Sequence, residues 1–127
     1  MRFMMLLPAP VEVLEKFAVP NVEMVTAMRK FDEEMSRAGV LLAEEGLHPT
    51  SKGARVRVSA GKRVVTDGPF IEAKEVIAGF WIIQVKSKEE AIEWASRCPL
   101  PECGVIEIRQ VFENCDFPPE LQKKAPG

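Results

Sequence analysis

The sequence predicts a single α+β domain, and three observations support this class. Two segments, residues 21–39 and 87–98, space their apolar residues as amphipathic helices do. Several shorter segments are apolar throughout or alternate apolar with polar residues, which is typical of strands. The chain of 127 residues is 46% hydrophobic, so it has the size of one domain and enough apolar material for a core without disulfides or metal.

The chain begins with a short apolar segment. Residues 3–7 form an unbroken apolar run that ends at Pro8, and a run of this length predicts a strand covered on both faces. Residues 8–20 are interpreted as a connecting stretch, in which residues 11–17 could form a short turn of helix.

The first long helix is predicted to follow Asn21. This residue is a suitable N-cap, and Gly39 is a suitable C′ residue because glycine adopts the left-handed conformation without steric cost. Residues 40–47 then continue in extended form. The predicted core stripe of the helix consists of Met24, Met28, Phe31, Met35 and Ala38.

A hairpin is predicted next. Residues 54–59 alternate apolar residues with arginine and serine, so we expect a strand with one buried face. Residues 60–62 form a tight turn, and residues 63–66 return as the partner strand. The loop at residues 67–70, Asp-Gly-Pro-Phe, closes the hairpin.

The third strand of the predicted sheet, residues 76–85, is the most hydrophobic segment and is apolar on both faces. A capping box of Ser87 and Glu90 then begins the second helix. Residues 105–111 form the last strand. One face of the hydrophobic strand carries Ile77, Gly79, Trp81, Ile83 and Val85, and the other carries Phe80, Ile82 and Gln84. The stripe of the second helix is Ala91, Trp94, Ala95 and Cys98, and the inner face of the last strand carries Ile106 and Ile108.

The order of these elements gives a ferredoxin-like βαββαβ pattern with an inserted β-hairpin. Both helices of that pattern cover one face of the sheet, whereas the strands at residues 3–7 and 76–85 are apolar on both faces. A second copy of the chain is the simplest way to cover the other face of the sheet, because monomers rarely expose so large an apolar patch. The sequence therefore predicts a homodimer, with a domain at residues 1–111 and a surface tail at residues 112–127.

Composition disfavours several classes of function. A net charge of −2 and a pI near 5.5 give no basic face for nucleic acid or an anionic membrane. No apolar run approaches the ~18 residues that span a bilayer. Three cysteines and no leader pattern indicate a reduced, cytoplasmic protein. One histidine and no paired cysteines are too few for a recognisable metal site, so neither a metal nor a cofactor is expected.

One motif is distinctive. Residues 65–75 read VTDGPFIEAKE, preceded by EGLHP at residues 45–49 and followed by IAGF at residues 77–80. This combination resembles the YciI-related superfamily, specifically its DGPF-domain branch, from the first residue to about residue 111. The resemblance implies a dimeric α/β barrel, which agrees with the dimer inferred from the apolar faces.

The resemblance implies little about biochemistry, because the role of the family is largely unassigned. DGPF proteins are often encoded beside extracytoplasmic-function sigma factors, and one distant YciI-like relative is a dehydrochlorinase. The histidine–aspartate pair proposed as catalytic in the YciI branch has no clear match here. The one histidine of this chain, His48, lies in a different motif.

The loop at residues 67–70 is where we place the functional pocket. Asp67 and His48 are the candidate catalytic residues, because carboxylates beside apolar walls and imidazoles can transfer protons near neutral pH. In this hypothesis the loop aims Asp67 into a cavity walled by Phe70 and the strand of Trp81. The candidate binding residues are Gly68, Pro69, Phe70, Glu72, Lys74, Glu75, Gly79 and Trp81.

Simpler interpretations stand beside these. The loop is also explained as a well-made turn, in which the Asp67 carboxylate accepts from nearby amides. The cluster of Glu72, Lys74 and Glu75 is equally an ordinary solvated turn, and a lone histidine such as His48 is more often a loop or core residue. The basic residues of the hairpin are a solvated face, or a site for an anionic ligand or acidic partner; they are Arg55, Arg57, Lys62 and Arg63.

Three functions therefore stay open. The first is a cofactor-free enzyme of lyase, isomerase or dehydrohalogenase type that acts on a small molecule. The second is a non-catalytic ligand-binding or regulatory module associated with transcription. The third is a structural dimer without a ligand. Convergence of Asp67 and His48 on one enclosed cavity would favour the enzyme.

Overall fold

The computed structural model of the chain describes residues 1–16 and 21–123. Within these residues the chain forms six β-strands and three α-helices. The strands are β1 (Arg2–Pro10), β2 (Leu41–Gly46), β3 (Ala54–Ser59), β4 (Lys62–Asp67), β5 (Glu75–Gln84) and β6 (Glu107–Gln110), and the helices are α1 (Val11–Lys16), α2 (Val22–Arg37) and α3 (Lys88–Ala95).

The main sheet has four strands in the order β2-β5-β1-β6, and each neighbouring pair is antiparallel. Strands β3 and β4 form a separate two-stranded sheet, inserted in the chain between β2 and β5. The α+β class is thus confirmed, and the arrangement is consistent with a ferredoxin-like fold. Among the described residues, none of the helices has the length and apolar character needed to span a bilayer.

The core lies between the sheet and helices α2 and α3. Alternate residues of the two central strands are buried, and Met5 of β1 stands opposite Trp81 of β5 in the ladder. Phe31 of α2 meets the Trp81 ring edge to face, with 5.7 Å between the ring centroids. Because strand residues alternate between faces, these side chains define the helix-covered face. The core cluster also includes Phe3, Met35, Ile83, Val85, Ala91 and Cys98.

The predicted caps of the two long helices are largely confirmed. The side chain of Asn21 accepts a hydrogen bond from the Met24 amide at 3.1 Å, and Gly39 follows α2 with a φ of +74°. The Ser87 hydroxyl accepts from the Glu90 amide at 3.2 Å. The Glu90 carboxylate departs from the expected capping box, because it accepts from the Lys86 amide, one residue before Ser87.

The predicted core stripe of α2 holds only in part. Phe31 and Met35 are buried and Met28 is half-buried against the core, whereas Met24 and Ala38 are exposed. The stripe was inferred from spacing, which specifies a face of the helix but not the length of helix that meets the sheet. The first turn and the residue after the last turn extend past the core.

The predicted connecting stretch at residues 8–20 is wrong in its first part. Strand β1 continues to Pro10, and α1 begins at Val11, which is buried. The ladder between β1 and β5 shifts register between Leu7 and Pro8. Proline has no N–H to donate to a ladder, and such an irregularity is where a strand tolerates it. Phe17, the end of the predicted turn of helix, lies outside the described residues.

The prediction that the hairpin has one buried face is wrong. Val56, Val58 and Val65 are 65%, 59% and 64% exposed, respectively. Their alternation with polar residues is that of an amphipathic strand, but no described element of the chain packs on them. Alternation reports which residues share a face, and it does not report whether the same chain covers that face.

The face of the main sheet opposite the helices is apolar at its centre. Met4, Leu6, Phe80 and Ile82 are half-buried there, and they alternate with the buried residues of β1 and β5. The buried residues of α2 and α3 pack on the opposite face, in the core cluster that contains Phe31, Met35 and Ala91. The two-faced apolar character predicted for the central strands is therefore confirmed.

The segment after β6 is held at its start by Arg2. The Arg2 guanidinium donates two hydrogen bonds to the Glu113 carboxylate, at 2.9 and 3.1 Å, and this interaction lowers the pKa of Glu113. Phe112 and Phe117 contact each other, with 5.3 Å between their ring centroids, but both rings are exposed. The boundary at residue 111 stays a prediction.

Candidate functional site

Two loops that flank the hairpin lie against each other. The loop from β2 to β3 contains a 3₁₀ turn at Thr50–Lys52, and the loop from β4 to β5 begins with Gly68. The Gly68 amide donates to the Gly53 carbonyl at 2.9 Å. The Phe70 amide donates to the Thr50 hydroxyl at 3.0 Å. These bonds join the motif predicted to carry function to a second loop that contains His48.

Gly68 is required by this contact. A Cβ atom at residue 68 would overlap the backbone carbonyl group of Thr50. A backbone carbonyl cannot rotate aside as a flexible side chain can, so any larger residue must separate the two loops. Gly68 therefore allows the two loops to pack closely against each other. The peptide bond between Gly68 and Pro69 is cis.

The two loops and the adjacent end of the main sheet border an open groove of about 800 Å³. Its volume lies within the range of pockets that hold small molecules, roughly 300–1,000 Å³. The apolar part of its wall consists of Pro8, Leu47, Pro49, Ala54, Phe70, Val76, Ile77 and Val105, and the polar part of His48, Thr50, Lys52, Arg55, Glu75 and Glu107.

The groove opens toward the uncovered face of the sheet. Pro8 of β1 shares a face with Met4 and Leu6, and its ladder partner beyond the register shift is Ile77 of β5. Glu107 pairs with Leu6 in the ladder of β1 and β6, so it also lies on the uncovered face. A molecule that covered this face would border the groove.

An arginine and an aromatic ring form one wall of the groove. The Arg55 guanidinium carbon lies 4.1 Å from the centroid of the Phe70 ring. This distance is well within the range of a cation–π contact. The hairpin register places Arg55 opposite Thr66, close to the start of the loop that carries Phe70.

Three of the residues predicted from the sequence line the groove. They are His48, Phe70 and Glu75. The imidazole of His48 is exposed rather than enclosed. These three come from different loops or strands, and only the fold brings them together.

The other predicted residues lie elsewhere. Asp67, at the end of β4, is exposed and does not line the groove, and Glu72 lines a smaller cavity of about 480 Å³ on the hairpin. Trp81 is buried in the core beneath α2. Phe70 and the first residues of its strand, β5, do line the groove, but Asp67 does not. The roles proposed for these residues stay predictions. The remaining members outside the groove lining are Gly68, Pro69, Lys74 and Gly79.

The sequence did not indicate Lys52 as a site residue, and it placed Arg55 in a basic hairpin read as a solvated face or as a site for an anionic ligand or acidic partner. Both line the groove. Their involvement follows from the contact between the two loops, which no spacing in the sequence indicates. The local signs were the basic composition of the hairpin and the position of Arg55 near its base, where the predicted loop also begins.

A second polar cluster lies on the helix-covered side. The indole N–H of Trp81 donates to the Asp32 carboxylate at 2.7 Å. Burial, together with the nearby negative charge of Asp32, raises the pKa of Glu44. Glu44 and Trp81 are ladder partners on β2 and β5. This carboxyl pair follows from that register and was not found from the sequence.

The cysteines and potential metal ligands show no assembled centre in the described part of the chain. Cys98 is buried, and burial raises the pKa of its thiol to about 12, so the thiol is neutral near pH 7. Cys103 and Cys115 are exposed and unpaired. Among residues 1–16 and 21–123, no three His, Cys, Asp or Glu side chains are grouped so as to hold a metal ion.

The fold and groove define a small α+β domain with one open, partly apolar site beside a glycine-dependent loop contact. Comparison with known protein families identifies the family to which this domain belongs. The model of the YCII-related domain matches residues 1–114, and the chain belongs to that family. An uncharacterized protein of Rhizobium meliloti (strain 1021) is 37% identical over 89 residues, which is 68% of each chain.

Proposed function

We propose that this YCII-related protein binds a small molecule in the groove between the loop from β2 to β3 and the loop that begins at Gly68. The observation that carries the proposal is the groove itself, about 800 Å³ in volume with a mainly apolar wall and a few polar groups. Sites for small molecules combine these features, because apolar walls supply affinity and sparse polar groups fix orientation.

The contact between the loops supports this proposal. The hydrogen bonds from Gly68 to Gly53 and from Phe70 to Thr50 fix the walls before any ligand arrives. A preformed site avoids part of the entropic cost of ordering loops on binding. The motif at residues 67–70 then serves to shape the groove, with Phe70 as its contribution to the wall.

Cofactor-free acid–base catalysis is the second candidate. It is favoured by His48, which lines the groove and carries the side chain most often used for general acid–base catalysis. It is disfavoured by Asp67, the other half of the predicted catalytic pair, which does not line the groove. Binding is therefore the better-supported function, and any proton transfer would depend on His48 without Asp67.

Filling the groove tests the proposal. Ile77→Trp adds a large side chain at a groove position that is 40% exposed, and we expect it to abolish the binding of fragments that occupy the groove. The measurement is a screen of small organic fragments against ¹⁵N-labelled protein, followed by amide chemical shifts. Fragments should shift amides of residues 48–55 and 70 in the parent chain and leave them unmoved in the variant.

The matched control is Ile92→Trp on α3, where the parent side chain is 44% exposed and outside the groove. That variant should bind the same fragments as the parent. Hits that cluster elsewhere, or that survive Ile77→Trp unchanged, would contradict the proposal. Loss of turnover in His48→Gln, with fragment binding retained, would raise the second candidate if any turnover is found.

We further propose that two copies of the chain pair through the uncovered face of the main sheet to form a dimeric α/β barrel. The support is the apolar centre of that face, formed by Met4, Leu6, Phe80 and Ile82, which lies on the side of the sheet away from α2 and α3. A second sheet would bury these side chains, and the burial of apolar surface drives such association.

A charge at the centre of this face should separate the copies. Ile82→Glu is expected to yield a monomer at micromolar concentration, because a buried unpaired carboxylate in the interface costs several kcal/mol. Light scattering measures the mass of the parent and the variant. The control is Val22→Glu at the start of α2, where the side chain is highly exposed. This variant should stay dimeric. A monomeric parent would overturn the proposal.

A further inference from the structure

The groove has a cationic side. Lys52 and Arg55 line it where the 3₁₀ turn meets the base of the hairpin. In the part of the chain that the structure describes, neither side chain has a carboxylate oxygen within 4 Å, and the ion pairs that occur involve other residues. Two positive charges therefore face the groove without an acidic partner from the described chain.

The exposed Arg55 side chain contacts the Phe70 ring. Its guanidinium lies over the Phe70 ring, and the Phe70 backbone is itself bonded to the Thr50 hydroxyl. Contact with the ring restricts the rotation of the guanidinium, whose N–H donors form a planar fork. This planar fork matches the two oxygens of a carboxylate, and its restricted rotation lowers the entropic cost of binding.

The rest of the groove restricts the kind of anion. Apolar residues, among them Leu47, Val76 and Ile77, form much of the wall and can bury an apolar body. Glu75 and Glu107 line the groove from strands β5 and β6, on the sheet side. Two carboxylates there would repel a second negative charge on the ligand.

We infer that the groove binds a small amphipathic organic monoanion, with its carboxylate on Arg55 and Lys52 and its apolar, ring-sized body against the sheet side. The inference rests on the proposed function, because it names the ligand class of the same groove. It assigns Arg55 as the principal determinant of specificity, since Arg55 combines positive charge, a planar set of N–H donors and contact with the Phe70 ring.

A pair of probes of the same shape tests the charge requirement. The probes are 1-naphthoate and the neutral 1-naphthamide, titrated into ¹⁵N-labelled full-length protein while amide shifts of the groove are followed. We expect 1-naphthoate to bind at least about tenfold more tightly than the amide. Arg55→Gln should weaken the binding of 1-naphthoate about tenfold and leave the binding of 1-naphthamide unchanged, as expected for loss of one charge-assisted interaction.

Two further variants complete the test. Arg57→Gln removes the same charge two residues along β3, outside the groove, and should change neither affinity. Lys52→Gln does not disturb the Phe70 stack, and it should weaken naphthoate binding severalfold even if Arg55→Gln alters the loop. Amide spectra of all variants report whether the fold is retained.

Failure of the inference can be told from failure of the proposed function. Equal binding of both probes in the groove, with no effect of Arg55→Gln and Lys52→Gln, would overturn the anion assignment and leave small-molecule binding intact. An equal loss in Arg57→Gln and Arg55→Gln would also overturn it, because the attraction would then be a general effect of charge. If neither probe nor any fragment shifts the groove amides, both proposals fall.

Discussion

Gly68→Ala is expected to destabilise the folded chain by about 2–3 kcal/mol, at the upper part of the usual cost of forcing atoms into a packed site. The added Cβ overlaps the Thr50 carbonyl, so the loop must move away from the 3₁₀ turn. That movement breaks the bond between the Phe70 amide and the Thr50 hydroxyl and withdraws the Phe70 ring from the groove. Urea unfolding measures the first effect, and amide shifts of residues 48–55 measure the second.

The matched control is Gly53→Ala in the facing loop. Its added Cβ would lie 3.5 Å from the same Thr50 carbonyl oxygen, an ordinary contact, and Gly53 has extended backbone angles that alanine also adopts. We expect a change in stability below about 0.5 kcal/mol, as for a surface substitution without a steric conflict. Equal stability of the two variants would show that Gly68 does not pack closely on the Thr50 carbonyl.

The second large effect is expected at the centre of the core. Met35→Ala should cost about 2–5 kcal/mol, because it removes a buried side chain and leaves a cavity that the neighbours fill only in part. Met35 is completely inaccessible to solvent and packs in the core cluster with Phe31. The loss is measured as a lower midpoint of urea unfolding with a similar slope.

Met24→Ala on the same helix provides the comparison. Both methionines belong to the stripe predicted from spacing, yet Met24 is 43% exposed. Its removal should change the free energy of unfolding by less than about 1 kcal/mol, since little apolar area returns to water. A large cost at Met24, comparable to that at Met35, would mean that another surface covers the first turn of α2 in solution.

Met24 and Met35 show what the spacing of apolar residues can and cannot predict about a helix. Spacing along the sequence correctly indicated which side of α2 faces the sheet, and the ends of the helix were correctly placed by Asn21 and Gly39. It could not indicate that only the middle of the helix meets the core. That depends on the lengths and positions of the strands beneath it, which are set by the sheet as a whole.

The hairpin shows the same limit more strongly. Its strands and turn were predicted at nearly their observed positions, because alternation and turn residues are local features. The inference that one face is buried was wrong, because burial needs a partner surface and the chain places none there. The valines of that face remain exposed among the described residues.

The candidate site was located from the sequence only approximately. The distinctive loop led to the correct region, since Phe70, Glu75 and His48 line the groove. Asp67, the residue expected to be central, lies outside it, whereas Lys52 and Arg55 were not recognised as groove residues. A motif marks where a chain is constrained, but the direction of each side chain follows from the contacts of the completed fold.

The sequence by itself determined the α+β class, the order of the strands and helices, most of the helix caps and the apolar character of both faces of the central strands. Each of these depends on residues within a few positions of one another. Only the tertiary structure decided that Gly68 packs on Thr50, that Arg55 stacks on Phe70, and that these contacts form one wall of a groove. Such contacts join residues far apart in the chain, and their geometry follows from strand register and loop packing, which local patterns do not encode.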